Sequence, residues 1–130
     1  MKDIVRDWLG SHEEQITLFE VDDEIILKRQ DNSVLLSVQL TSTPSDTTTL
    51  QSWLRLGVAS LNLFQGALAQ KADSGTLWLI QTLRSGQGEA HVLGCLEDLL
   101  NQRDTWRATS ARLTHATRNL RPTSLRSLSY

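Results

Sequence analysis

The chain has 130 residues, 39% hydrophobic and 22% charged, with a formal net charge of −2; that length suits one domain whose core needs neither disulfide nor metal. Its single cysteine, Cys95, excludes an internal disulfide framework, and no segment reaches the ~20 apolar residues that span a bilayer. Residues 1–106 hold eight Lys and Arg against fifteen Asp and Glu (−7), whereas residues 107–130 hold five Arg and no acid (+5), an acidic body that fits poorly with binding phosphate backbones.

Residues 3–9 predict a short helix with Ile4, Val5, Trp8 and Leu9 on one face, ended by Gly10-Ser11. Its start lacks the apolar run of a signal peptide, so the expected location is the cytoplasm. Three strands are expected at 15–21, 24–30 and 33–41, with two-residue turns at Asp22-Asp23 and Asp31-Asn32. Those turns pair Phe19 with Ile26, Leu18 with Leu27, and Leu27 with Leu36. One face of this meander then collects Ile16, Leu18, Ile25, Leu27, Val34, Leu36, Val38 and Leu40 and should meet the core. The other face carries Phe19, Val21, Ile26 and Leu35 inside a polar rim. It is either a binding surface or a face covered by the first helix or the tail.

Residues 41–49 form a polar loop in which Asp46 or a threonine can cap the next helix. That helix is expected from Leu50 to about Phe64, with Leu50, Trp53, Leu54, Val58, Leu61 and Phe64 at helical spacing. Leu56 and Leu63 fall off this stripe, so the helix is apolar on more than one side. Gly57 at its middle costs about 1 kcal/mol relative to Ala and permits close approach of a second element. A hairpin follows, 66–71 and 76–83, turning at Asp73-Ser74-Gly75 and setting Ala67 and Ala69 on the face of Trp78 and Ile80. A long amphipathic helix is expected from Glu89 to about Leu113, with Val92, Leu93, Leu96, Leu99, Leu100 and Trp106 as its stripe. The sequence thus divides into a domain at 1–114 and a basic tail at 115–130, either loosely ordered or in contact with an anionic partner.

No residues support catalysis. His91 and Cys95 share a helix face, but this is half a zinc site at most, and Cys95 lies between apolar neighbours where a thiol acts as a small packing group. Gly86-Gln87-Gly88 is too short for a phosphate loop and lacks a lysine. The expectation is no enzyme, no metal and no cofactor. Trp8, Trp53, Trp78 and Trp106 all fall in predicted elements. Core packing is the simpler reading for Trp53 and Trp78, whereas Trp8 on a short terminal helix suits a partner surface.

This α-β-β-β-α-β-β-α order resembles that of the class I chaperones of bacterial type III secretion systems, the family of the Tir and Yop effector chaperones. The resemblance covers about residues 3–113. It rests on Leu54–Leu68 with Asn62 and Gly66-Ala67, on Gly75-Thr76-Leu77-Trp78-Leu79, and on Leu96, Leu100 and Trp106. The first helix is shorter than is usual in the family, and the basic tail is a departure.

The resemblance implies an α+β fold, with a twisted antiparallel sheet packed against helices, in a dimer, homomeric or heteromeric. It implies a bacterial cytoplasmic protein that binds the N-terminal segment of a secreted effector, keeps it extended and soluble, and hands it to the export apparatus, without nucleic acid or membrane insertion. By that resemblance, the 50–64 helix and the hairpin join two copies, through Trp53, Leu54, Gly57, Val58, Leu61, Leu68 and Trp78. The expected client surface is Trp8, Leu9, Phe19, Val21, Ile26 and Leu35. The alternatives are a regulatory chaperone for a gatekeeper or transcription-control protein, and a dimeric scaffold of the roadblock or longin type.

Overall fold

The computed structural model describes residues 2–59, 65–84 and 86–128, the side chains of 58, 59 and 113–128 excepted. The order is α1 (Lys2–Leu9), β1 (Gln15–Glu20), β2 (Asp23–Gln30), β3 (Ser33–Gln39), α2 (Thr47–Ala59), β4 (Ala67–Gln70), β5 (Leu77–Arg84) and α3 (Glu89–Leu128). This is the expected α+β arrangement. The five strands form one antiparallel sheet in the order β1-β2-β3-β5-β4, so β1 and β4 are its edges.

Alternation along the strands sends Leu18, Ile25, Leu27, Val34, Leu36 and Val38 to one face, all buried, with Leu77, Leu79 and Leu83 of β5 beside them. The expected inner face of the meander is therefore the core face, with Ile16 half-buried at the edge strand. α3 lies over it and contributes Val92, Leu96, Leu99, Leu100 and Trp106, whose steps of three and four make a single stripe. α1 adds Val5 and Trp8, and α2 adds Trp53.

The β2–β3 register is the expected one, Leu27 opposite Leu36. The β1–β2 register is not: Phe19 faces Glu24 and Leu18 faces Ile25. The turn is Val21-Asp22 rather than Asp22-Asp23, and Val21 takes a φ of +59°, a region a β-branched residue rarely enters. The reason is tertiary, because Asp23 is held by arginines of α3. The shift moves each pairing by two residues, and the side-chain period is two, so both faces keep their residues.

A buried polar side chain joins α3 to the start of β4. Gln102, 1% exposed, accepts a hydrogen bond from Gly66 N–H (2.9 Å) and donates to Gly66 C=O (3.0 Å). Gly66 is required there: a methyl group on it would lie 2.5 Å from both Gln102 Oε1 and Leu99 Cδ2. The backbone of α3 remains helical to Leu128, past the expected end near Leu113 and through Pro122.

Candidate functional site

Three regions bear on function: the sheet face turned away from α3, the outer side of α2, and a cluster of charges at one end of the sheet.

On the outer sheet face, Thr17, Ile26, Ser37, Ile80 and Ala67 form one cross-strand row. The adjacent row runs from Phe19 and Glu24 to Gln39, Trp78 and Ala69, with Gln39 accepting from the Glu24 amide at 3.0 Å. Phe19 is 68% exposed and Val21, at the tip of the β1–β2 turn, 91%. Ile26 and Leu35 are half-buried on the same face. A shallow groove of about 170 Å³ runs between Ile26, Ser37, Ala69, Lys71, Trp78 and Ile80. Trp78 forms its buried wall, with its Nε1–H donating to Thr76 (3.1 Å) and the Lys71 ammonium 5.2 Å from its ring centre. The structure therefore brings Phe19, Ile26 and Leu35 to one side of the sheet, adds Trp78 and Ile80 to them, and leaves Val21 at the turn that follows β1.

Trp8 is elsewhere. It is 2% exposed and points into the core with Val5, while Ile4 of the same helix is 48% exposed. The Arg29 guanidinium lies 4.4 Å from the Trp8 ring centre and donates to the carbonyl oxygens of Trp8 (2.9 Å), Leu9 (3.0 Å) and Glu13. One cation thus caps the C-terminal end of α1 and covers the indole. Leu9 is half-buried beside it.

On α2, Asp46 is the N-cap: its carboxylate accepts the Thr49 amide at 2.7 Å, and that hydrogen bond holds its pKa below the usual value. Trp53, 8% exposed, stacks on Trp106 of α3, ring centres 6.3 Å apart and planes 20° apart. Gly57 lets the same ring pass, since a methyl group there would lie 3.1 Å from Trp106. The close approach foreseen at Gly57 is thus made by α3 of the same chain. Leu54 points outward, 49% exposed, and Leu68 is half-buried on the inner side of β4, opposite Leu79. Leu61 and the side chain of Val58 lie outside the described residues.

The charge cluster carries residues that the sequence did not mark. Arg107 donates to both carboxylate oxygens of Asp23 (2.8 and 3.0 Å) and to the carbonyls of Leu40 (3.0 Å) and Gln39 (3.2 Å). Arg103, 3% exposed, pairs with Glu20 and Asp104, and its Nη1 lies 3.5 Å from Asp23 without a hydrogen bond. Hydrogen bonds from Arg107 hold the Asp23 carboxyl below its ordinary pKa against opposing desolvation, and both arginine charges add to this. Burial works against the Arg103 charge, but Glu20 and Asp104 outweigh it and raise its pKa. Arg107 and Asp23 are therefore structural residues that fasten α3 to the sheet. The legible signal was Arg103 itself, which falls three residues after Leu100 and three before Trp106, on the apolar stripe of α3.

Cys95 and His91 are 3.8 Å apart. Desolvation, then Asp98, push the Cys95 thiol up, which disfavours the thiolate a nucleophile needs. Among the described residues no group of three His, Cys, Asp or Glu could hold a metal ion, and no helix is long and apolar enough to cross a membrane.

The sequence matches no family model and no curated protein. The fold is similar to solved ones. A chain of the HopA1-SchA chaperone-effector complex superposes with a TM-score of 0.61 at 16% identity, covering 82% of this chain and 89% of that one. A chain of the ExsC-ExsE complex gives 0.62 at 11% identity, covering 82% and 90%. A chain of the heterodimeric ExoU-SpcU complex, from the type III secretion system of Pseudomonas aeruginosa, gives 0.56 at 22% identity, covering 82% and 94%. At these identities the likeness establishes the fold, that of the chaperones in type III secretion chaperone–effector complexes.

Proposed function

We propose that this chain is a type III secretion chaperone. In this reading it binds the N-terminal segment of a secreted effector in the bacterial cytoplasm, holds it extended, and delivers it to the export apparatus as one half of a dimer. The observation that carries the reading is the exposed apolar surface beside an open strand edge: Phe19 and Val21 at 68% and 91% exposure, on or next to edge strand β1. An extended client can add to such an edge through its backbone while placing alternate side chains on the apolar face. The similarity to chains from complexes described as chaperone–effector and type III secretion assemblies supports the same reading. Binding of this kind requires no catalytic group, metal or cofactor.

In the dimer we assign the outer side of α2, with Leu54, and the short edge strand β4, with Ala67 and Ala69, to the contact between copies. The client side is then Phe19, Val21, Ile26 and Leu35, without Trp8 and Leu9, which pack on the core side of the sheet.

Co-expression with candidate effectors followed by affinity capture tests the proposal. Burying a phenylalanine contributes about 1.5–3 kcal/mol, so Phe19→Asp should weaken capture about tenfold to a hundredfold with an unchanged circular dichroism spectrum. An effector bound equally by wild type and variant would remove Phe19 from the client surface, and a variant that unfolds would make that side core. A gatekeeper or transcription-control protein captured in place of an effector would select the regulatory reading.

A further inference from the structure

A cleft of about 320 Å³ opens at the opposite end of the sheet from the Asp23 cluster. Its apolar wall is Leu9, Val34 and Val92, and its rim holds Arg29, Arg84 and Asp31. The volume is at the lower end of the ~300–1,000 Å³ of small-molecule sites, room for one or two side chains.

Its charges are arranged for an anion. Arg29 is fixed in place, stacked on Trp8 and bonded to the three carbonyls of Trp8, Leu9 and Glu13. Carbonyls orient the guanidinium but leave its full charge uncompensated. Arg84 is exposed, and among the described residues it has no carboxylate within ion-pair distance. Gly86 leaves its side of the cleft open: a methyl group there would meet no atom within 4 Å. In a body of net charge −7 over residues 1–106, a cleft lined by both Arg29 and Arg84 is a local positive site. Asp31 lowers the sum on the rim to +1, which matches a monoanion better than a phosphate dianion. The apolar wall asks for a hydrocarbon stem beneath the charge.

We propose that this cleft is a subsite for a carboxylate side chain, glutamate before aspartate, on the extended client segment. This rests on the chaperone reading and adds to it a selectivity for acidic positions in the client. Arg84 would pair with the carboxylate in a forked geometry, while Arg29 supplies fixed positive charge below it.

The test uses the full chain, labelled with nitrogen-15, and two blocked peptides, acetyl-Leu-Glu-Leu-amide and acetyl-Leu-Gln-Leu-amide, with inorganic phosphate as a third probe. The glutamate peptide should shift the amide signals of Gly86, Gln87 and Val92 and bind about tenfold more tightly than the glutamine peptide, as befits a charge-assisted hydrogen bond. Arg84→Gln, at an exposed position that keeps the fold, should abolish that preference. Equal binding of the two peptides, tighter binding of phosphate, or shifts centred on Phe19 and Ile26 would each overturn the proposal. Peptide discrimination that persists while no effector is ever captured would leave the subsite standing and remove the chaperone reading; effector capture unchanged by Arg84→Gln, with no discrimination, would do the reverse.

Discussion

Substituting Gly66 by alanine tests how α3 is fastened to the start of β4. The added methyl group would sit 2.5 Å from Leu99 Cδ2 and from Gln102 Oε1, closer than any van der Waals contact allows. Gln102 can rotate aside only by giving up its two hydrogen bonds to the Gly66 peptide groups, each with a net worth of about 1 kcal/mol. Leu99, 1% exposed, has little room to yield, and overpacking adds about 1–3 kcal/mol. The sum is about 3–5 kcal/mol. Gln102→Ala alone loses the same two hydrogen bonds and should cost about 2 kcal/mol. In the double variant the hydrogen bonds are already gone and half of the clash is relieved. Its cost should therefore fall short of the sum of the single costs by about 3 kcal/mol. Urea unfolding followed by far-ultraviolet circular dichroism, at one fixed protein concentration because subunit association shifts apparent stability, supplies all four numbers. Additive costs within about 0.5 kcal/mol would refute the direct contact, and an unchanged midpoint for Gly66→Ala would refute the whole arrangement.

Acid should act through Asp23. Its pKa is lowered in the folded chain, chiefly by Arg107, so its contribution is fully present above the ordinary carboxylate value of about 4 and is lost as pH falls through the lower folded value. Asp23→Asn should therefore reduce stability near neutrality and flatten its fall below about pH 4, as read from thermal midpoints across a pH series; a parallel slope in wild type and variant would count against the pairing. Trp8→Ala should behave as a core truncation and cost about 3–5 kcal/mol in the same urea assay, whereas a surface residue would cost little. Leu54→Asp should halve the mass seen by light scattering without loss of helix, and an unchanged mass would move the contact between copies away from α2.

Much of this fold was legible in the chain. The alternation from Leu18 to Val38 placed the core face of the sheet correctly because it rests on a period of two that a turn shift cannot disturb by even steps. The Asp22-Asp23 turn was misplaced for the opposite reason. Local propensity favours aspartates in a turn, but Asp23 has its partners 80 residues and more away, on α3. That bidentate pairing outweighs the cost of positive φ at Val21. Trp8 likewise looked like a surface anchor on a short amphipathic helix. It is a core residue, covered on one side by Arg29, a residue of β2 that reaches back over the indole, and no sequence period records such a contact. Phe19 and Val21 were readable as exposed because both fall off the inner face at the open end of a hairpin. The cleft between Arg29 and Arg84 was not, since it forms only where α1, the β2–β3 turn and the end of β5 meet.

The four tryptophans belong to four different elements, α1, α2, β5 and α3, and none exceeds 8% exposure. Each of these four elements therefore carries its own native optical reporter in a dry environment. Intrinsic emission should be blue-shifted and resistant to acrylamide quenching in the intact chain, and three-tryptophan variants would assign each spectral change to one element. Trp78 faces away from α3 and borders the outer groove, so it should respond to a ligand on that face, while the stacked Trp53 and Trp106 report whether α2 stays seated on α3.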